Sequence, residues 1–241
     1  MSRTRNLIVG WTLAVLAMVL FGSLSVWQSH RADEKRAMLD AASEVLTTRQ
    51  AQPLLAAFDA GRARDYDWAR GRGQFLAKPP LLLDNQLRDG RAGIRVYRLF
   101  RPDAGGELLV DLGWLPLAGN RALPAIPPPS DATIDLRGLL APPPSSGLAL
   151  GMSMAREGDV WLLTRIDPAD IKSAVGDPMQ ALAPRVLRLD PALPLGYTRD
   201  LELLANTLPP AKHRAYSWQW FALLLAVLVT ALVLTFRKPK A

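Results

Sequence analysis

The chain has 241 residues, 49% of them hydrophobic and 21% charged, enough for one medium domain plus membrane anchors or for one larger soluble domain. Its formal charge of +7 is no nucleic-acid footprint, because residues 28–217 hold all 22 acidic residues and 24 of the 29 basic ones, leaving that stretch only about +2. Cysteine is absent, which removes disulfides, thiolate zinc sites, C-x-x-C-H haem attachment and thiol redox chemistry.

Residues 1–6 carry Arg3 and Arg5 and predict a cytoplasmic tail. Over 7–27, "LIVGWTLAVLAMVLFGSLSVW" holds 21 residues without a charge. As a helix they span about 31 Å, which crosses a hydrocarbon core. A cleaved signal peptide competes with this reading, since Arg3 and Arg5 form a basic n-region and Ser23-Leu24-Ser25 a small-x-small site. The run is long for an h-region, however, and the pattern beyond it stays helical. Residues 28–52 keep Met38, Leu39, Ala42, Val45 and Leu46 at helical spacing as far as Pro53 and predict a helical stalk.

From 53 to 208 the period changes to two. Short apolar stretches at 67–75, 80–85, 93–100, 107–115, 132–140, 159–165 and 185–189 are separated by Gly, Pro and Asp and read as strands. In "ELLVDLGWL", Leu108, Val110, Leu112 and Trp114 are expected on one face, opposite Leu109, Asp111 and Gly113, as in a half-buried strand. "DPADIKSAVG" predicts one short helix, with Asp167 as cap, Pro168 in the first turn, Asp170 at the positive end and Gly176 as its stop. The proline clusters "LPAIPPPSD" and "APPPSSG" read as loops around a strand.

Pro209-Pro210 starts a helix at the membrane face over 209–217, and 218–236, "WQWFALLLAVLVTALVLTF", is a second charge-free run. Residues 237–241, with Arg237, Lys238 and Lys240, predict a second cytoplasmic tail by the positive-inside rule. The expected fold class is a membrane protein with two transmembrane α-helices at the chain ends flanking a mainly antiparallel β (α+β) extracytoplasmic domain. In a bacterium that is a multi-pass inner-membrane protein whose central domain, 53–208, is periplasmic.

No catalytic constellation rises above chance, and an enzyme is not expected. "GRGQF" and "DAGGEL" lack the strand-glycine-helix setting of a nucleotide site. Ser217 follows His213 by four residues without an orienting acid or an oxyanion motif. Met152 and Met154 in "GMSM" are soft ligands of the kind a copper carrier uses, but methionines two apart are also ordinary gap-fillers.

The two histidines say more. His30 lies about 5 Å beyond the first apolar run and His213 about 8 Å before the second, so antiparallel helices bring both to one membrane face. In or near the first turn of its helix, His213 meets the positive helix end, which favours neutral imidazole, the form that ligates iron. Tyr216 and Trp220 follow at three and seven residues and offer flat apolar surface on its face. The same residues also make an ordinary aromatic belt, and one interfacial histidine is half a haem site at most.

"GSLSVWQSHRADEKRAML", "RGRGQFLAKPPLLLDNQLRDGRAGIRVYRLF", "ELLVDLGWLP" and "HRAYSWQWF" together, in this order and spacing, resemble the surfeit locus protein 1 (Shy1-like) family. The last stretch is similar to the family's His-x-x-Tyr-x-x-x-Trp before the second anchor. Two departures stand out: "VDLGW" replaces the family's Val-Asn-Arg-Gly-Trp at Asp111 and Leu112, and Gln86 follows Asn85 where the family often has Arg. The resemblance implies an assembly factor for haem-copper cytochrome c oxidase that handles or inserts haem a at the outer membrane face. Its implied partners are subunit I of the oxidase and the haem a synthesis machinery, with no nucleic acid. The matching histidine, His213, becomes the axial iron ligand, with Tyr216 and Trp220 as wall. His30 as second ligand rests on position alone, and Arg214, Arg31, Arg70 and Arg72 are candidate partners for haem propionates. A purely structural assembly scaffold without cofactor and a copper carrier are the alternatives.

Overall fold

A computed structural model describes residues 3–144, 151–203 and 207–237. Lys238, Lys240 and the end of the second proline cluster lie outside the described residues. The chain divides into two compact units, Met1–Asp40 with Thr207–Ala241, and Ala41–Asn206.

The first unit is built from two helices, most of α1 (Arg3–Thr48) and all of α3 (Pro210–Phe236). Both are long and apolar enough to cross a membrane. Ile8, Leu16, Val19, Val229 and Val233 lie exposed along them, as lipid-facing side chains do. The chain is therefore a membrane protein with its apolar helices at the two ends.

The second unit is a nine-stranded mixed sheet in the order β1-β2-β6-β9-β5-β4-β3-β8-β7, with β2 also pairing β4. The strands are β1 (Ala51–Pro53), β2 (Asp67–Phe75), β3 (Leu81–Arg88), β4 (Arg91–Pro102), β5 (Glu107–Pro116), β6 (Ile134–Ala141), β7 (Met154–Glu157), β8 (Val160–Leu163) and β9 (Leu182–Leu189). The extra pairing closes β2, β6, β9, β5 and β4 into a ring, from which β3, β8 and β7 extend as a flap. Antiparallel pairings predominate, with parallel ones at β1–β2, β3–β8 and β5–β9. Gly73 stands where β2 passes from β6 to β4, and a Cβ there would meet Arg101 O at 2.2 Å, so only glycine fits the crossing.

Inside the ring Phe75, Ile94, Val96, Phe100, Leu108, Val110, Leu136, Leu140 and Leu187 form one core. The alternate residues of β3, β4, β5 and β9 (Leu81, Leu83, Tyr97, Leu99, Leu109 and Val186) make a second core with Ile171 and Val175 of α2 (Pro168–Val175). Fully burying a side chain such as Phe100 or Leu140 contributes about 1.5–3 kcal/mol.

The half-buried strand expected at β5 is corrected here, because α2 lies over the outer face and every residue from Glu107 to Trp114 is buried. The expected one-face run to Trp114 is corrected too. Val96 pairs with Gly113 while Tyr97 pairs with Asp111, so Leu112 is the extra residue of a β-bulge, and Gly113 takes φ +114°. Trp114 then pairs with Arg95, on the face of Asp111 and Leu109, and donates from Nε1 to Gln86 O at 3.0 Å.

Several buried charges are paired, while buried Arg98 donates to the carbonyls of Lys78 and Pro127. Arg185 meets Asp67 at 2.6 Å and also donates to Ala56 O, tying a short 3₁₀ turn to the barrel. Asp111 accepts Arg95 at 2.7 Å, stands 3.8 Å from Arg188, and accepts the Gly113 N–H at 3.0 Å across the bulge. The residue replacing the family's amide is thus the anion between two buried guanidinium groups, and Leu112 lies in the barrel core.

Candidate functional site

The site lies within the helical unit, where α1 continues past its apolar run beside the first turns of α3. Polar and aromatic contacts pair the two helices in antiparallel register. Trp11 Nε1 donates to Thr235 Oγ1 at 3.0 Å, and Phe21 stacks on Trp220 with centroids 5.6 Å apart. Ser25 and Ser217 exchange hydrogen bonds, Ser25 Oγ to Ser217 O at 3.0 Å and Ser217 Oγ to Ser25 O at 2.9 Å. Beyond them His213 meets Gln28, and Arg214 donates to Asp33 at 2.8 Å and to Ser29 at 3.3 Å. Lys35 Nζ donates to Leu208 O at 2.6 Å, just before α3 begins.

His213 is 7% exposed, the one buried residue of α3. Its Nδ1 lies 2.6 Å from Gln28 Oε1. With Gln28 Oε1 as the acceptor, Nδ1 carries the hydrogen and Nε2 keeps its lone pair. Nε2 is itself buried and has no hydrogen-bond partner among the described residues. Protonating it would bury an unpaired N–H on a cation, which costs more than an idle lone pair. Accordingly burial lowers the His213 pKa, and the nearby charges of Lys35 and Arg31 push it the same way. The imidazole lies five residues outside the charge-free run, and its burial favours the neutral form.

The remaining candidates are placed as follows. Trp220 joins His213 and Ser217 on the face toward α1, but its ring is engaged with Phe21. Tyr216 is 42% exposed and lies on the flank of that face. His30 is exposed and two residues past Gln28, about 200° round the helix, so the chain does not bring it to His213. Arg214 is committed to Asp33, and Arg31 pairs with Glu34 at 2.8 Å. Arg70 and Arg72 belong to β2 in the sheet unit, Arg70 pairing with Asp135 at 3.4 Å. Met152 is 78% exposed, whereas Met154 opens β7 and packs on the second core, so the two do not form a shared ligand pair.

Gln28 and the Ser25–Ser217 pair were given no role from sequence. A signal was available: Ser25 and Gln28 are three apart, His213 and Ser217 four apart, so each helix carries two polar residues on one face at the membrane edge.

Two apolar end helices and a mixed sheet, with a buried histidine where the helices pair, define a two-anchor membrane protein. The SURF1 family model matches residues 15–225, from within α1 to within α3, and the chain belongs to the SURF1 family. That family comprises cytochrome oxidase assembly factors and is not a catalytic one. No curated protein matches the chain.

Proposed function

We propose that this chain takes up haem a as cargo during assembly of haem-copper cytochrome oxidase, with Nε2 of His213 as axial ligand to the iron. The observation that carries the reading is the state of that ring: Nδ1 is tied to Gln28, while Nε2 has no hydrogen-bond partner among the described residues. A ligating histidine characteristically has its other nitrogen held in this way. The chemistry of the donor fits iron, since neutral imidazole is the ligating form. Trp220 backs the site from the membrane side, and Tyr216 offers its ring at the flank. Arg214 reaches a propionate only by releasing Asp33. His30 serves as a second ligand only from another chain.

Arg3 and Arg5, ahead of the apolar run of α1, and Arg237 after α3 support cytoplasmic ends, and with them a periplasmic sheet unit and a His213 at the outer face of the inner membrane. Oxidase subunit I and the haem a synthesis machinery are the corresponding partners. One observation favours a cofactor-free scaffold instead: Nε2 is out of contact with solvent, so cargo reaches it only if its cover moves.

The test is an absorption and pyridine haemochrome spectrum of the protein, purified in detergent from cells that make haem a. Wild type carries haem a, His213→Ala loses it, and His30→Ala keeps it. Wild type without haem above a control membrane protein, or His213→Ala with a full complement, overturns the haem reading and leaves the scaffold.

A further inference from the structure

We infer that Gln28 is the positioning residue of this site, fixing His213 as the Nδ1–H tautomer in a single ring orientation so that Nε2 is the nitrogen available to a metal. The inference rests on the haem reading above for its purpose, but its physical content concerns the protein alone.

The contact is short, 2.6 Å, and lies between two other cross-helix polar contacts. Three residues before Gln28 the reciprocal Ser25–Ser217 bonds hold the backbones in register, and five residues after it Asp33 takes Arg214. Rotating the His213 ring by half a turn would put a carbon opposite Gln28 Oε1 and strand that buried acceptor, so the amide selects one orientation as well as one tautomer. The choice of an amide is informative. A carboxylate in the same place would accept the same hydrogen but would also stabilise the imidazolium, which has no lone pair to give. Gln28 therefore supplies the acceptor without the charge. Lys35 and Arg31 face the ring as cations, and Asp33 and Glu34 are engaged with Arg214 and Arg31.

The chain has two histidines, so a sample labelled with 15N-histidine gives two ring patterns, and His213→Ala assigns them. In the haem-free protein in detergent, His213 shows one pyrrole-type nitrogen at Nδ1 and one pyridine-type nitrogen at Nε2. Gln28→Leu, which keeps bulk but removes the acceptor, converts the pattern to the Nε2–H form or to a mixture, and Gln28→Glu restores hydrogen at Nδ1. Haem affinity falls about 10- to 100-fold in Gln28→Leu. A wild-type ring already in the Nε2–H form, or a Gln28→Leu ring unchanged from wild type, overturns the inference, and the wild-type spectrum decides even if the leucine variant does not fold. The two readings fail separately. Haem retained by His213→Ala sinks the haem reading and leaves the tautomer result standing, whereas His213-dependent haem with an unaltered Gln28→Leu sinks the role of Gln28 alone.

Discussion

Replacing Asp111 by asparagine removes one negative charge from the interior of the sheet unit and almost no volume. Its carboxylate is 4% exposed and lies 2.7 Å from Arg95 and 3.8 Å from Arg188, each of which is 11% exposed. Burial drives the Arg188 pKa down, and the largest influence opposing it is Asp111. Without the carboxylate, two guanidinium groups stay buried with one less anion, and breaking such an arrangement costs about 3–5 kcal/mol. A domain of this size holds about 5–15 kcal/mol in all. About 2–4 °C per kcal/mol gives a fall in Tm of about 6–20 °C. Near-UV circular dichroism of the full chain in detergent reads the sheet unit, whose buried Trp68, Trp114 and Tyr97 report packing. Asparagine still offers an oxygen to the Gly113 N–H, so bulge geometry is kept and the charge is isolated as the cause. A loss of under about 1 kcal/mol in Asp111→Asn would show that the two arginines do not depend on this anion.

Three further outcomes are expected. Burial works to raise the Asp190 pKa, but the Ala192 N–H and Arg137 outweigh it and the folded value lies below the ordinary one; the stability it contributes is complete above the unfolded pKa near ~3.9 and fades as pH falls through the folded value. Denaturant unfolding of Asp190→Asn therefore loses less stability between about pH 5 and pH 3 than wild type, and equal losses would discount the group. Asp167→Ala removes the acceptor for the Ala169 and Asp170 N–H groups at 3.0 and 3.3 Å and costs about 1 kcal/mol by the same method, with no cost meaning that the α2 cap is idle. Because the chain has no cysteine, Ser25→Cys with Ser217→Cys gives a clean pair whose replaced oxygens lie 3.3 Å apart. Mild oxidation gives an intramolecular disulfide that changes gel mobility, and its absence would contradict the helix register.

The strands that the sequence displayed best were those whose ends were marked by Gly, Pro or Asp. The stretch 67–75 coincides with β2, and 107–115 stops one residue short of β5. The caps of α2 were readable because capping is local: Asp167, Pro168 and Gly176 act within one turn of their own chain. β1 escaped because it is three residues ending in Pro53, and β7 because its exposed "MARE" has no alternation to detect. Alternation misled at β5, where cover on both faces and one inserted residue break the rule that neighbouring parity shares a face. At the site, His213 stood out by rarity and position, but its partner is 185 residues away, and periodicity shows which face a helix presents without showing what meets it. Tyr216 illustrates the same gap, since three residues from His213 places it near that face yet leaves it on the open flank.

The most direct test is the haem a content of cytochrome oxidase in cells lacking this chain and supplied with either wild type or His213→Ala, matched for membrane level. Wild type restores oxidase with its full haem a, and the variant leaves oxidase deficient in haem a although the protein is present and folded. Full restoration by His213→Ala would contradict the ligand role and return the chain to assembly without cargo.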